Sequence, residues 1–250
     1  MRILIEFSSN CTIKIPVGYN YYFQSAIYKM LSNYNIHDEK EGGRNYKFFT
    51  FSRPIGDYEY LANEKVLAFK NNVKWIISAF DKKFLEELIK SFLDNESIKI
   101  LDQRLVSSSI KIEKIPEPEV FNKVTPIKML SPVTTYSTLY NGNKKRKTYY
   151  YSPFENDFSI KIKENLLRKF KSLNKKLPDN KEFEVKAIKP KKEWEKIVNY
   201  KGTVIKGWMG RYQLKGNPEL IKLAYDTGIG SKNSQGFGCF EIKEDFKKVE

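Results

Sequence analysis

An α+β chain made of two successive βαββαβ units is the fold class that the sequence predicts. Three observations carry it. Stretches of alternating or β-rich apolar character are interrupted by helical stripes whose apolar residues recur at i+4. The run Ile115-Pro116-Glu117-Pro118-Glu119, with two prolines and two charges, opposes continuation of a strand near the middle of the chain. The order of elements after that break repeats the order before it, although the residues themselves do not repeat.

In the first half, Ile3, Ile5 and Phe7 alternate with Leu4, Glu6 and Ser8, and Ile13 and Ile15 resume the alternation before Pro16, so strands are expected there. From Asn20 the period changes. Tyr22, Ala26 and Met30, with Phe23, Ile27 and Leu31, line one broad helical face that runs to about Asn33 or Tyr34. The segment 35–45 is polar, with Gly42-Gly43 as a breaker, and reads as a loop. A strand follows at 46–51 from its aromatic and β-branched content. Residues 65–70 and 73–79, separated by Asn71-Asn72, read as a hairpin. Asp81 can cap a helix that carries the stripe Phe84, Leu85, Leu88, Ile89 and Phe92. Strands at 98–101 and 105–115 complete the unit.

The second half is expected to place strands at 124–130 and 134–139, a turn at Asn141-Gly142-Asn143 and a strand end at 148–151. A long helix over 154–173 follows from Phe158, Ile162, Leu166 and Phe170 at i+4 spacing. Strands at 183–188, 203–214 and 237–242 and a helix at 218–226, started by Asn217 and Pro218, close the chain. Two tandem ferredoxin-like (RRM-like) domains, residues 1–115 and 120–250, are the simplest organisation of this order.

Of the 250 residues, 40% are hydrophobic and 30% charged, with a net charge of +15. Residues 1–115 hold 17 basic and 14 acidic side chains, while residues 116–250 hold 28 and 16. A polyanion should therefore lie mainly against the second half. Lysines outnumber arginines 38 to 7, which favours diffuse phosphate attraction over bidentate reading of bases. No apolar stretch nears the ~20 residues needed to cross a bilayer, so no membrane partner is expected. With a single histidine, His37, and two cysteines, Cys11 and Cys239, a zinc site of His and Cys ligands is disfavoured. These features suit a reduced, cytoplasmic protein with no metal or cofactor.

Residues 228–238 contain four glycines, Gly228, Gly230, Gly236 and Gly238, between a short helix and a last strand. Their backbone freedom, with Ser231, Lys232, Asn233 and Ser234, could cradle phosphate oxygens. A glycine-rich turn packed under the strand explains the same residues equally well. The segment is not a P-loop, since it precedes a strand rather than a helix. A second cluster, Lys144-Lys145-Arg146-Lys147, adjoins Thr148-Tyr149-Tyr150-Tyr151, so that cations stand beside rings able to stack on unpaired bases. An exposed hairpin tip with inward tyrosines is the plainer alternative. Along 161–176, Lys161, Lys163, Arg168, Lys169, Lys171, Lys175 and Lys176 fall on the flank opposite Phe158–Phe170, either a track for a polyanion or a solvated face.

Residues 228–238 resemble the form G-x-G-x-x-N-S-x-G-x-G at every fixed position, the C-terminal loop of the CRISPR repeat-RNA endoribonucleases of the RAMP superfamily. Tyr21-Tyr22-Phe23-Gln24 with Ile27-Tyr28 is similar to that family's first helix, residues 47–52 to the strand entering its site, and Leu130-Ser131-Pro132-Val133 to a middle motif. The resemblance implies two side-by-side ferredoxin-like domains that bind the repeat transcript across their shared face. It implies metal-free cleavage of CRISPR precursor RNA within each repeat, in which the ribose 2′-OH attacks the adjacent phosphate and leaves a cyclic phosphate and a 5′-OH. That reaction needs a base, an acid and a cation for the phosphorane. The positions matching the family's tyrosine, histidine and lysine are Tyr28, His37 and Lys47, with Tyr46 and Tyr34 as substitutes. Gly228, Gly230, Ser231, Lys232, Asn233, Ser234, Gly236 and Gly238, and Lys144 to Lys147, would bind RNA. A CRISPR effector complex is a second implied partner. The alternative reading is a non-catalytic repeat-RNA-binding relative serving as a structural subunit of such a complex.

Overall fold

The computed structural model describes residues 1–32, 34, 38–41, 44–94, 98–99, 104–105, 109–140 and 146–243. In the first half, β1 (Arg2–Ser8), β2 (Ile13–Pro16) and α1 (Tyr19–Met30) are followed by two short strands, β3 (Asp38–Glu41) and β4 (Arg44–Lys47). Then come β5 (Phe49–Phe51), β6 (Tyr58–Leu61), β7 (Val66–Phe69), β8 (Asn72–Ala79) and α2 (Lys82–Asp94). The short β9 (Ile98–Lys99) and β10 (Arg104–Leu105) lead to β11 (Ser109–Ile115). The main sheet has the order β11-β1-β8-β5, with all neighbours antiparallel. Counting only β1, β5, β8 and β11, this is fourth-first-third-second, the strand order of a ferredoxin-like fold. Ile3, Ile5, Phe7, Trp75 and Ile77 of that sheet share one core with Phe23 and Ile27 of α1 and Leu85 and Leu88 of α2. Asp81 starts α2 as expected, its Oδ1 accepting from the Lys83 backbone N–H at 2.9 Å.

The second half builds the same sheet. Its elements are β12 (Val124–Met129), β13 (Tyr136–Tyr140), β14 (Arg146–Tyr150), α3 (Asn156–Asn174), β15 (Phe183–Ala187), β16 (Glu195–Tyr200), β17 (Thr203–Trp208), β18 (Arg211–Gly216), α4 (Pro218–Thr227) and β19 (Phe240–Ile242). The order β15-β18-β12-β19 repeats the first sheet, strand for strand. Phe158, Ile162 and Leu166 of α3 and Leu220, Ile221 and Ala224 of α4 cover it. Asn217 caps α4, accepting from the Glu219 N–H at 2.9 Å, with Pro218 in the first turn. The tandem ferredoxin-like fold is therefore what these residues build. Among the described residues, no helix is long and apolar enough to cross a membrane.

Several expectations are corrected. β7 and β8 do not pair with each other: β7 lies between β2 and β6, while β8 lies between β1 and β5. The residue with positive φ here is Lys65, which turns β6 into β7, and neither Asn71 nor Asn72 adopts the left-handed turn a tight hairpin needs. The expected loop at 35–45 holds β3 paired with β4, with Gly42-Gly43 outside the described residues. The expected strand at 203–214 is two: β17 pairs with β16 and β18 joins the main sheet. Gly210, at φ 117 and against the Trp194 ring, turns the chain between them. The last strand is confined to β19, and 237–239 belong to the glycine-rich loop. Strands β6 and β16 escaped sequence reasoning, being mostly exposed and without a sustained apolar alternation.

The two sheets are bolted together by buried polar groups. Arg2, 2% exposed, donates to the carbonyls of Tyr225 and Phe240 and to Ser78 Oγ at 3.1 Å. Its guanidinium carbon lies 3.4 Å from the centre of the Tyr225 ring. Thr50 Oγ1 donates to the Phe237 carbonyl at 2.9 Å, and the Arg53 N–H to the Leu130 carbonyl at 3.0 Å.

Candidate functional site at the junction of the two sheets

Helix α1 buries Asn20, Phe23, Gln24, Ala26 and Ile27. Two of these are amides at i+4 spacing, and Tyr28 continues their line. Asn20 Nδ2 donates to the Gln235 carbonyl at 2.8 Å, and Gln24 Nε2 to the Ser234 carbonyl at 2.7 Å. The same Gln24 nitrogen is 3.4 Å from the Tyr28 hydroxyl, and its oxygen accepts from Tyr200. This polar seam docks the helix onto the glycine-rich loop and leads to Tyr28. Sequence reasoning passed over Asn20 and over Gln24 as a structural residue. The available signal was a pair of amides one turn apart inside an otherwise apolar stripe.

Tyr28 stands edge-on to Phe49, ring centres 6.2 Å apart, and the Lys47 ammonium lies 5.2 Å from the Tyr28 ring centre. The structure thus brings Tyr28 and Lys47 together. His37, the third member expected from the resemblance, lies outside the described residues. Of the substitutes, Tyr34 donates its hydroxyl to Asp81 at 2.5 Å, and burial with that carboxylate pushes its pKa up to about 12. A phenol so held is a poor base near neutral pH. Tyr46 is buried, and its hydroxyl has no hydrogen-bond partner among the described residues.

Between the halves lies a cleft of about 260 Å³. The first half contributes Tyr46 and Lys47; the second contributes Tyr136, Asn165, Lys169 and residues 231–234. Three lysines and no acid are among the described residues that line it, so the cleft favours an anion. Lys232 adopts a left-handed conformation and sets its ammonium 5.3 Å from the Tyr136 ring centre, and burial lowers its pKa.

The glycine-rich loop is mostly interior. Gly228, Gly230, Gly236 and Gly238 are buried, Ser231 and Asn233 nearly so, and Lys232 and Ser234 are the partly exposed members of the set. The glycines permit close packing, Gly236 against the first half and Gly230 and Gly238 against neighbouring backbone of the second. At Gly236 (φ 80) a Cβ would run into the Phe51 ring and stand 2.8 Å from Asn20 Nδ2; at Gly230 it would strike the Thr134 carbonyl. Gly236→Val is accordingly expected to destabilise the protein by at least about 1–3 kcal/mol in urea denaturation, where an unchanged midpoint would contradict this packing. The middle motif backs the same loop: Ser131 Oγ accepts from the Cys239 N–H at 3.0 Å, and the Gly238 N–H donates to the Pro132 carbonyl at 2.9 Å. Inside the loop, Asn233 Nδ2 donates to Ile229 and Phe237 carbonyls at 2.9 and 3.0 Å, clipping its two ends together.

Two further groups divide. Lys144 and Lys145 lie outside the described residues, while Arg146 and Lys147 open the exposed strand β14. Tyr149 and Tyr140 of this hairpin are exposed, the latter by 65%. Tyr150 and Tyr151 instead turn their hydroxyls onto the Val204 carbonyl at 3.1 Å and Ser137 Oγ at 3.0 Å. Lys171 of α3 and Lys175 and Lys176 just beyond its end are exposed, but Lys169 is buried, contrary to its expected place on the flank opposite Phe158–Phe170.

Two ferredoxin-like sheets joined through a G-x-G-x-x-N-S-x-G-x-G loop, with a cationic cleft at the seam, are the arrangement that the resemblance to the RAMP superfamily implies. Residues 14–111 match the family model "CRISPR-associated protein Cas6, N-terminal", and residues 114–242 the model "CRISPR associated protein Cas6, C-terminal". The chain is 30% identical to a CRISPR-associated endoribonuclease Cas6 of Methanocaldococcus jannaschii, over 98% of this chain and 94% of that one. It is 28% identical to the CRISPR-associated endoribonuclease Cas6 of Pyrococcus furiosus, over 97% and 90%. The fold matches the structure of a Cas6-related protein from Pyrococcus furiosus with a TM-score of 0.81 at 24% identity, covering 98% of this chain and 99% of that one. It also matches a RAMP protein described as binding different RNA substrates, with a TM-score of 0.79 at 20% identity, covering 98% and 100%. The chain belongs to the Cas6 family of CRISPR-associated endoribonucleases.

Proposed function

We propose that this chain cuts CRISPR precursor RNA within each repeat, in the cytoplasm, without a metal ion, through two ferredoxin-like domains spanning 1–115 and 120–250. The relatives named Cas6 endoribonucleases support the enzymatic reading over a purely structural subunit. The observation that supports it most is the pairing of Tyr28 with Lys47, 5.2 Å from ring centre to ammonium, where Lys47 also lines the cationic cleft.

His37 serves as the proton carrier, since an imidazole titrates near neutral pH. It takes the proton from the ribose 2′-OH as that oxygen attacks the adjacent phosphorus, or returns one to the departing 5′-oxygen. Lys47 offsets the charge of the phosphorane. Tyr28, steadied by Phe49 and Gln24, orients the ribose-phosphate or supplies the second proton. The bond to the 5′-oxygen breaks, leaving a cyclic phosphate on one fragment and a 5′-OH on the other. Lys232 and Ser234 at the cleft, and the exposed Arg146, Lys147, Tyr140 and Tyr149 with Lys144 and Lys145, contact phosphates and unpaired bases of the repeat. The finished guide passes to a CRISPR effector complex.

The test is to incubate the protein with end-labelled repeat RNA in EDTA and map the product ends. A cyclic phosphate and a 5′-OH are expected, with no cleavage when the scissile nucleotide is 2′-deoxy. A requirement for Mg²⁺, or cutting of the 2′-deoxy substrate, would remove this mechanism.

A further inference from the structure

The Lys169 side chain is 3% exposed, although it belongs to a helix whose neighbouring lysines reach solvent. A lysine stem is long enough to carry its ammonium to water from most helical positions. Lys169 turns inward instead. Its Nζ donates to Asn233 Oδ1 at 2.6 Å and to the Gly228 carbonyl at 2.8 Å, with Thr227 Oγ1 and the Thr227 carbonyl at 3.3 and 3.4 Å. All four contacts are uncharged oxygens, so no carboxylate in this set neutralises the ammonium. Burial lowers its pKa to about 7, while the ring of acceptors takes up its three protons. A well-packed apolar side chain usually costs less at such a place than a charge. The buried cation therefore calls for a use.

Its strongest partner supplies one. The Asn233 amide bonds at both ends: its nitrogen closes the loop on Ile229 and Phe237, and its oxygen faces Lys169. Rotating the amide by half a turn would set N–H groups against the ammonium and its oxygen against two carbonyls, so the lysine and the two carbonyls together fix which way the amide points. On either side of Asn233 stand Lys232 and Ser234, both lining the cleft, and the Ser234 carbonyl carries the bond from Gln24 of α1.

We propose that Lys169 is a positioning residue for the nuclease: from beneath the glycine-rich loop it orients the Asn233 amide and thereby sets Lys232 and Ser234 against the RNA. This rests on the reading of the cleft as the RNA site given above. It assigns to the asparagine of the loop motif an internal duty, holding the loop's shape, and to Lys169 the duty of holding the asparagine.

The experiment measures binding of 2′-deoxy-blocked repeat RNA to the full chain over a range of salt, for wild type, Lys169→Met, Lys232→Ala and the double variant. Lys169→Met is expected to weaken binding about tenfold or more and to flatten the salt slope by one phosphate contact, roughly 0.7. Lys232→Ala should do the same, and the double variant should fall no further, because both substitutions remove one contact. A double variant that loses two contacts would make Lys169 itself a phosphate ligand and overturn the proposal. So would Lys169→Met with wild-type affinity and slope. If Lys169→Met does not fold, Lys169→Gln takes its place, with a smaller loss and the same non-additivity expected and wild-type affinity as the overturning result. Wild-type protein that neither binds nor cuts repeat RNA would instead defeat the reading of the site.

Discussion

Replacing His37 by alanine is expected to slow cleavage of repeat RNA about 10²–10⁴-fold, the usual contribution of one general acid or base. RNA binding should persist, since one neutral imidazole adds little attraction in a chain of charge +15. Lys47→Ala should lose rate on a similar scale, about 10²–10³-fold, because the phosphorane would have to form without its cation. Single-turnover rates at saturating RNA separate the two effects from affinity. Cleavage by His37→Ala at the wild-type rate would remove histidine from the reaction. Tyr46 would then be the next residue to replace, since it lines the cleft and its buried hydroxyl has no hydrogen-bond partner among the described residues. Tyr34 is the weaker substitute, because its hydroxyl is committed to Asp81.

The largest expected effect on stability comes from Arg2→Ala. That substitution strands the Tyr225 and Phe240 carbonyls and Ser78 Oγ and removes a cation from the face of the Tyr225 ring. With hydrogen bonds to a charged group and an unfilled space at a buried seam, a loss of about 2–5 kcal/mol is expected. Urea denaturation followed by two probes would measure it, and separate transitions would mean that the halves have come apart. A loss within about 0.5 kcal/mol would mean that the seam does not depend on this residue.

Most of the fold was legible because most main-sheet strands and helices carry a local signal, a periodicity in some and aromatic or β-branched content or a cap in others. Phe158, Ile162 and Leu166 announce α3, and Asn217-Pro218 announces α4. What was not legible depends on partners distant in sequence. The residues of β7 and β8 read as strands, but nothing local says that they belong to different sheets. The loop motif was conspicuous, but sequence could not divide its two readings: glycines that permit a ligand's approach look the same as glycines that permit Phe51 or Thr134 to approach. Lys169 was invisible as a buried residue for the same reason. Its neighbours Arg168 and Lys171 are also basic, and only the fold distinguishes the one that turns inward. Tyr28 and Lys47 were found through family likeness, whereas Asn20 and Gln24, which hold their helix in place, required the structure.

The bonds that seat α1 have a temporal consequence. Gln24 is fastened to Ser234 and Asn20 to Gln235, so the first helix is secured by a segment that the ribosome delivers more than two hundred residues later. During synthesis the N-terminal sheet can collapse on its own core as it emerges. Helix α1, however, then lacks the surface that sets Tyr28 in place. A nascent chain holding every proposed catalytic residue is thus still not a nuclease, and translation of the glycine-rich loop is the step that completes one.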